Sequence, residues 1–549
     1  MAKKDNKSSN FIAQGGILAI AGIISRIIGM LYRIPLMNII GEAGSGIYST
    51  AYDIYNIMLL ISSYSLPMAV SKLVSAKLSQ KQYRNVKQVL VVALAFGASL
   101  GLAAALLMYF GAGFLAGNLL STPRAVLAVK LLAPTVFIMG MLGVLRGFFQ
   151  GHGTMIPTAV SQVLEQIIHV AVSIVMARIL FDKAYDPASS VNMSPNAYGA
   201  AGATIGTGVG ALAALLFVGF CFFAYKHRLE RRCRMDKSGV LDAPLFTLKM
   251  VVITAVPILI SATMANIVTL LDHGIFGAYM GTEQMNLYER LWGDYSGKFI
   301  VLTNVPIAIA TALSASTLPA VSSHIAVGDR CGAMAKASSA IHFIAMVAMP
   351  ASLALAVLGK PCLDLLFRNR DNGLAGQMLL VGFATVIGYS LSAVSVGILQ
   401  GSGLFWEPIK NYIAALIIHL PLLFIMLYIL KWGILGVVVA NALFGLCSGL
   451  LNLLTMRRKL GYRQEWRRSF CLIPLAALFT AAFAFCIYKG LFALGLGNTI
   501  SLLISIAAAL PAYLAAIFLL GAVTEEELSS MPKGHVLIKL AGKLRLLKS

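Results

Sequence analysis

Arg26, Arg33, Lys72 and Lys298 lie inside long apolar runs, and Arg290 stands just ahead of the run that holds Lys298. Charge within a membrane span is costly and marks a pathway or a binding site. Arg26 falls near the middle of the first run, in Ile24-Ser-Arg-Ile-Ile-Gly29, and Arg33 follows two helical turns later, so both guanidiniums share one helix face. Arg offers a planar fork suited to phosphate and Lys a point charge. If the five converge, they make a cationic site for a substrate carrying phosphate or another dense anion. The bland alternative is that Arg33 and Lys72 snorkel to an interface, or that each cation pairs with an intramembrane carboxylate.

Three acids are available for such pairing, Asp53, Glu165 and Asp272. Asp272 sits deep in an apolar run, in Leu270-Leu-Asp-His-Gly274, and is a candidate proton or sodium site. Its other reading is a structural partner to an arginine or to His273. His169 and His419 are expected to hydrogen-bond between helices. No metal-ligand, nucleophile or nucleotide motif occurs, and Glu42, Asp182, Asp186, Glu283, Asp364 and Asp371 are dispersed. A membrane enzyme, such as a glycan polymerase, would need acid and base groups that converge. The chain is therefore read as a non-enzyme without a cofactor.

The elements that position these residues are membrane helices. The chain is 59% hydrophobic and 12% charged. Apolar runs of about 20 residues, enough to cross a hydrocarbon core, recur from Phe11 to Gly521, and about fourteen are counted. Lipid offers the backbone no hydrogen-bond partners, so each run must be a helix. Phe11–Leu36 is too long for a signal-peptide core and is read as a retained span. Glycines 44 and 46 would let the first span bend, and Pro35 would break it. The seven cysteines are scattered and read as free thiols.

The net charge of +22 does not point to nucleic acid, because Lys and Arg concentrate in alternate loops. Lys3, Lys4 and Lys7, Lys77–Lys87, Lys226–Lys237, Arg330 and Lys336, Arg457–Arg468 and Lys533–Lys548 lie on one side. The loops between carry few, and 360–373 is the exception. This positive-inside pattern predicts a multi-pass protein of the bacterial cytoplasmic membrane with both termini inside, Cys233 facing the cytoplasm and Ser189 outside. The phrase Gln150-Gly-His-Gly153 returns as Gln400-Gly-Ser-Gly403, each between two apolar runs and each followed by its histidine, His169 or His419. Tyr48–Pro67 likewise resembles Tyr288–Pro306. Two related lobes of six spans are predicted, residues 1–245 and 246–460, related by pseudo-two-fold symmetry along the membrane normal. Spans 13 and 14 and a tail make up 461–549. Such duplicated bundles are the build of secondary transporters, with substrate bound between the halves.

The stretch Leu145-Arg-Gly-Phe-Phe-Gln-Gly-His-Gly-Thr-Met-Ile-Pro-Thr-Ala-Val-Ser-Gln-Val-Leu-Glu-Gln166 resembles the stage V sporulation protein B group of polysaccharide transporters. These stand beside the MurJ-type lipid II flippases in the multidrug/oligosaccharidyl-lipid/polysaccharide exporter superfamily. Ser25–Pro35, Gly41–Tyr48, Leu66–Val74, Trp292–Gly297 and Glu525–Pro532 match as well. The resemblance implies an all-α bundle of fourteen helices with an arginine-lined cavity. It implies export of an undecaprenyl-pyrophosphate-linked saccharide, lipid II first, with the lipid tail along spans 13 and 14. Arg26 matches the group's first-span arginine, Arg33 lies one residue from a second, and Lys72 falls near a basic position. Arg290 and Lys298 stand in for the eighth-span arginine, and Asp272 matches an acidic position that looks ion-linked. Expected partners are the lipid-linked pyrophosphoryl saccharide and membrane lipids, with the protein acting as a monomer. Transport would be coupled to protons, sodium or membrane potential, with Asp272, Glu165 and Asp53 as candidate ion sites. Rival cargoes are another lipid-linked polysaccharide or amphiphilic drugs, although a cationic cavity disfavours cationic drugs. Cell-wall biogenesis, in peptidoglycan synthesis or sporulation, is the expected setting.

Overall fold

The computed structural model describes residues 21–522, except 23, 30, 186–193, 237, 282–283, 327, 369 and 464. The N-terminal lysines, Ser189, Lys237 and the tail with Glu525–Pro532 and Lys533–Lys548 lie outside the described residues. Helices account for nearly all of the described chain, and it contains no strand. Eleven helices among the described residues are long and apolar enough to cross a membrane. One of these stretches, Ile24–Ser79, is 56 residues long, far more than the ~20 a single crossing needs.

The chain forms two compact units, Met1–Gly297 and Lys298–Ser549. The first holds α1 (Arg33–Leu59), α2 (Leu66–Ser79), α3 (Tyr83–Phe110), α4 (Val126–Gly151), α5 (Ile156–Tyr185), α6 (Pro195–Arg234), α7 (Pro244–Met280) and α8 (Met285–Asp294). The second holds α9 (Ile300–Ala326), α10 (Arg330–Leu366), α11 (Gly373–Val381), α12 (Phe383–Gly401), α13 (Trp406–Phe424), α14 (Ile434–Leu460), α15 (Ile473–Ala493) and α16 (Gly497–Leu519). By packing, α7 and α8 belong with the first six helices.

In the first unit, α1 runs against α4, α5, α6 and α8. The first helical segment is interrupted at Tyr32, three residues before Pro35, whose missing N–H removes one helical bond. The sharp break comes at Gly41, with φ 74° and ψ −179°, a backbone shape that L side chains rarely adopt. Gly44 and Gly46 stay helical and serve close packing instead. The α5–α6 pair is held by a glycine seam. A Cβ at Gly202 would lie 2.4 Å from the Met176 carbonyl oxygen, and one at Gly210 2.6 Å from that of Glu165. Small residues at this spacing let membrane helices approach closely. Ser173 uses the approach to donate to the Ala203 carbonyl at 2.7 Å. Helix α6 starts at Ser194, which caps the Ala197 N–H, with Pro195 at the first helical position.

In the second unit, α12 packs between α9, α10 and α14, and α15 and α16 pair with each other and with α10. Its core gathers Ile341, Val386, Val394, Ile398 and Met456. The two Gln-Gly-x-Gly phrases fold into the same turn, one in each unit. Gly153 (φ 78°) and Gly403 (φ 82°) are left-handed. Gly153 N–H donates to the Gln150 carbonyl at 2.9 Å, and Gly403 N–H to that of Gln400 at 3.0 Å. All seven cysteines are free thiols.

The linker from α6 to α7 is strapped to the start of α3. Arg84 N–H donates to Asp236 Oδ2 at 2.8 Å, Asp242 N–H to Asn85 Oδ1 at 2.9 Å, and Lys77 pairs with Asp242 at 2.5 Å. The Arg84 N–H and the Ser238 hydroxyl and N–H hold the Asp236 carboxyl down at about 2, from an ordinary 3.8. A depressed carboxyl stabilises the strap above its unfolded value, and the contribution is lost as pH falls from 3.8 through about 2. The protection of the Ser238 and Asp242 amides against hydrogen exchange, relative to the intrinsic rate at each pH, should therefore be high at neutral pH and fall steeply across that window. Asp236→Asn should show fast exchange already at neutral pH, and equal protection in the variant would refute the assignment.

Candidate functional site

The five cations separate into distinct settings. Arg26 and Lys72 are exposed. Arg33 is half-buried, donates through Nη1 to the Ser296 carbonyl at 3.1 Å, and lies 6.0 Å from the centre of the Tyr48 ring. Arg290 donates through Nε to Glu42 Oε2 at 2.8 Å. Lys298 belongs to the second unit and is fully buried. Its Nζ donates to the Asp371 carbonyl at 3.0 Å and sits 5.9 Å from the Phe367 ring centre. Arg33 and Arg290 thus tie α1 to α8 and the turn that follows it at two separate points, Ser296 and Glu42, while Lys298 holds Asp371 and lies against Phe367.

The crossing of α1 with α8 is tight because both helices present glycine. A Cβ on Gly46 would fall 2.1 Å from the Glu289 carbonyl oxygen, and one on Gly293 1.8 Å from that of Glu42. Beside it lies a polar-aromatic network on α1, α5 and α6. The Tyr32 and Tyr48 hydroxyls touch, Tyr52 hydrogen-bonds to Thr207, and Tyr52 and Thr207 both reach His169 Nε2 at 3.3 Å. His169 packs edge-on to Tyr32, with centroids 4.8 Å apart. His169 therefore bonds between helices, as its sequence context suggested, and so does His419, whose Nδ1 contacts the Ala440 carbonyl at 3.1 Å.

The acids are largely engaged. Glu165 accepts from Arg146 Nη2 at 2.8 Å, and Arg146 Nε donates to Ser161 at 2.9 Å. Asp53 meets His273 Nδ1 at 2.7 Å. Asp272 is fully buried. Glu289 pairs with Arg124 at 3.1 Å. Among the described residues, no three His, Cys, Asp or Glu side chains converge as a metal site would require. Sequence reading did not find the roles of Glu42, Arg146 and the tyrosines. Arg146 carried a signal: it lies in the same helix–turn–helix as Glu165, 19 residues ahead. Glu42 carried none, since its partner is 248 residues away.

Comparison with known proteins follows the same lines. The chain is 27% identical to the uncharacterized membrane protein YabM of Bacillus subtilis over 96% of both chains. It is 29% identical to stage V sporulation protein B of Bacillus subtilis over 56% of this chain and 57% of that one. With the Bacillus subtilis lipid II flippase MurJ, identity is 23% over 86% of this chain and 87% of that one. Among solved structures, the lipid II flippase MurJ in an inward closed conformation superposes with a TM-score of 0.62 at 15% identity, over 91% of this chain and 97% of that one. The fold is thus that of a polytopic all-α transporter. The family described as polysaccharide biosynthesis protein matches residues 11–324, more than half of the sequence, and the chain belongs to that family.

Proposed function

We propose that the protein is a flippase that moves an undecaprenyl-pyrophosphate-linked cell-wall precursor, lipid II first, from the inner to the outer leaflet of the bacterial cytoplasmic membrane. The observation that carries this reading is that the first unit carries Arg26, Arg33 and Lys72 within one long apolar helical stretch, Ile24–Ser79. Arg26 and Lys72 are exposed and Arg33 is half-buried. The carboxylates Glu42, Asp53 and Glu165 are held by Arg290, His273 and Arg146. Cations displayed this way suit a pyrophosphate, with the Arg forks gripping oxygens in pairs and Lys adding charge. A relative named as a lipid II flippase supports the same class of cargo. Coupling to an ion would act through Asp272, buried in α7, by biasing one access state over the other. No covalent step is required.

The test is restoration of growth in bacterial cells depleted of their own lipid II flippase. The wild-type protein should restore growth. Failure of wild-type protein that has reached the membrane would remove lipid II as cargo and leave another polyprenyl-pyrophosphate glycan as the reading to pursue.

A further inference from the structure

The buried pair Asp53–His273 has a hydrogen-bond pattern that can accommodate one proton or two. His273 has no exposed surface, and its two ring nitrogens face different partners on α1. Nδ1 lies 2.7 Å from Asp53 Oδ2, and Nε2 lies 3.3 Å from Thr50 Oγ1. Thr50 has a single proton to give. Its shortest contact is the Gly46 carbonyl at 3.0 Å, an acceptor only, with Thr122 Oγ1 farther at 3.4 Å. Thr122 in turn donates to the Leu120 carbonyl at 2.9 Å. With the Thr50 proton directed to Gly46, the oxygen of Thr50 can only accept from His273, so Nε2 carries a hydrogen. The contact at Nδ1 then needs a second hydrogen, held on the imidazole or on the carboxyl. With Thr50 donating to Nε2 instead, the pair holds one proton, and in the first arrangement it holds two, one more than a neutral imidazole beside a carboxylate.

The surroundings favour that state. The His273 ring stacks on the Trp292 indole, with centroids 4.0 Å apart and planes 18° apart. A cationic ring is attracted to an indole face, the more so when dry, and Trp292 is 1% exposed. The charged and titratable groups on every neighbouring element are mostly acidic. Asp272 precedes His273 on α7, and Asp53 lies on α1. Glu289 on α8 is matched by Arg124 from the segment before α4. Tyr288 lies 6.0 Å from His273 and donates to the Leu120 carbonyl at 2.9 Å. The Asp53 side chain is 19% exposed and so gives the otherwise closed pair a route for proton exchange.

We propose that Asp53 and His273 form a proton-binding site that ties α7 to α1. When one of the two protons leaves to solvent, the imidazole keeps the Nδ1 hydrogen that faces Asp53. Thr50 then turns its hydroxyl from the Gly46 carbonyl to the bare Nε2. Gly46 is where α1 crosses α8 within van der Waals limits, so occupancy of the site is felt at that crossing. This rests on the coupling part of the function proposed above and deepens it by adding, beside Asp272, a proton site whose ligands are Asp53 and His273. The test needs no cargo, so its failure and the failure of the flippase reading are distinguishable.

Trp292 is the reporter, because a protonated imidazole stacked on indole quenches its fluorescence. Trp406, Trp432 and Trp466 are exposed and are replaced by Phe, which leaves Trp292 as the sole tryptophan in the full-length purified protein. Titration between about pH 4 and 9, the range in which histidines change charge, should give one reversible step with loss of Trp292 emission at the acid end. His273→Gln should abolish the step. Asp53→Asn should displace its midpoint by a pH unit or more, and this second variant decides the matter if His273→Gln does not fold. A flat titration of the Trp292 protein, or a midpoint unmoved in Asp53→Asn, would overturn the proposal.

Discussion

Arg146→Ala should lower the stability of the protein by about 3–5 kcal/mol, the range for removing one partner of a buried ion pair. The Arg146 side chain is 9% exposed and the Glu165 side chain 16%, and the guanidinium also holds Ser161. Truncation leaves a carboxylate facing α4 with its donor gone and its solvation not restored. Glu165→Ala should destabilise to a similar degree for the mirror reason. Arg146→Met combined with Glu165→Leu should recover most of the loss, because an apolar pair of similar volume avoids desolvation altogether. Melting temperatures of the four proteins in one detergent give the comparison. A double variant no more stable than the singles would mean that the pair contributes more than mutual neutralisation.

Gly293→Ala is the second large effect expected. The new Cβ would stand 1.8 Å from the Glu42 carbonyl oxygen and 3.0 Å from the Gly46 nitrogen. Both are backbone atoms, so no rotamer change relieves the clash, and the helices must part. Overpacking of this kind costs about 1–3 kcal/mol, and backbone contact places this site at the upper end. Parting the crossing should also weaken the Glu42–Arg290 pair and the bond from Arg33 to Ser296. Gly219→Ala is the control, since a Cβ there meets nothing within 4 Å. Thermal melting should drop clearly for Gly293→Ala and stay near wild type for Gly219→Ala. Equal melting of the two would show that α1 and α8 are not held at this distance.

Features set by local chemistry were legible in the sequence. Long apolar runs become helices because lipid leaves the backbone no other choice. The Gln-Gly-x-Gly turns follow from glycine at the left-handed position in both copies. The interhelical roles of His169 and His419 followed from polar residues in apolar runs. Partner choice was not legible. Glu42, which looked like a dispersed loop acid, comes to Arg290 from 248 residues away, and no local pattern announces that pairing. Glu165 and Asp53 were grouped with Asp272 as candidate ion sites, but spacing did not show that Arg146 and His273 are the residues they face. Gly46 was read as a point of bending, because only the opposing backbone reveals a glycine kept for close approach.

The measurement that bears most directly on the flippase account is transbilayer movement of fluorescent lipid II in proteoliposomes, wild type beside Arg26→Ala and Arg26→Lys. The account predicts that the wild type moves the probe, that Arg26→Ala does not, and that Arg26→Lys recovers only part because the bidentate fork is lost. Under a varied pH or sodium gradient, Asp272→Asn should lose the ion dependence of the rate if Asp272 couples transport. Wild-type rates in Arg26→Ala, with the variant inserted in equal amount, would contradict the account.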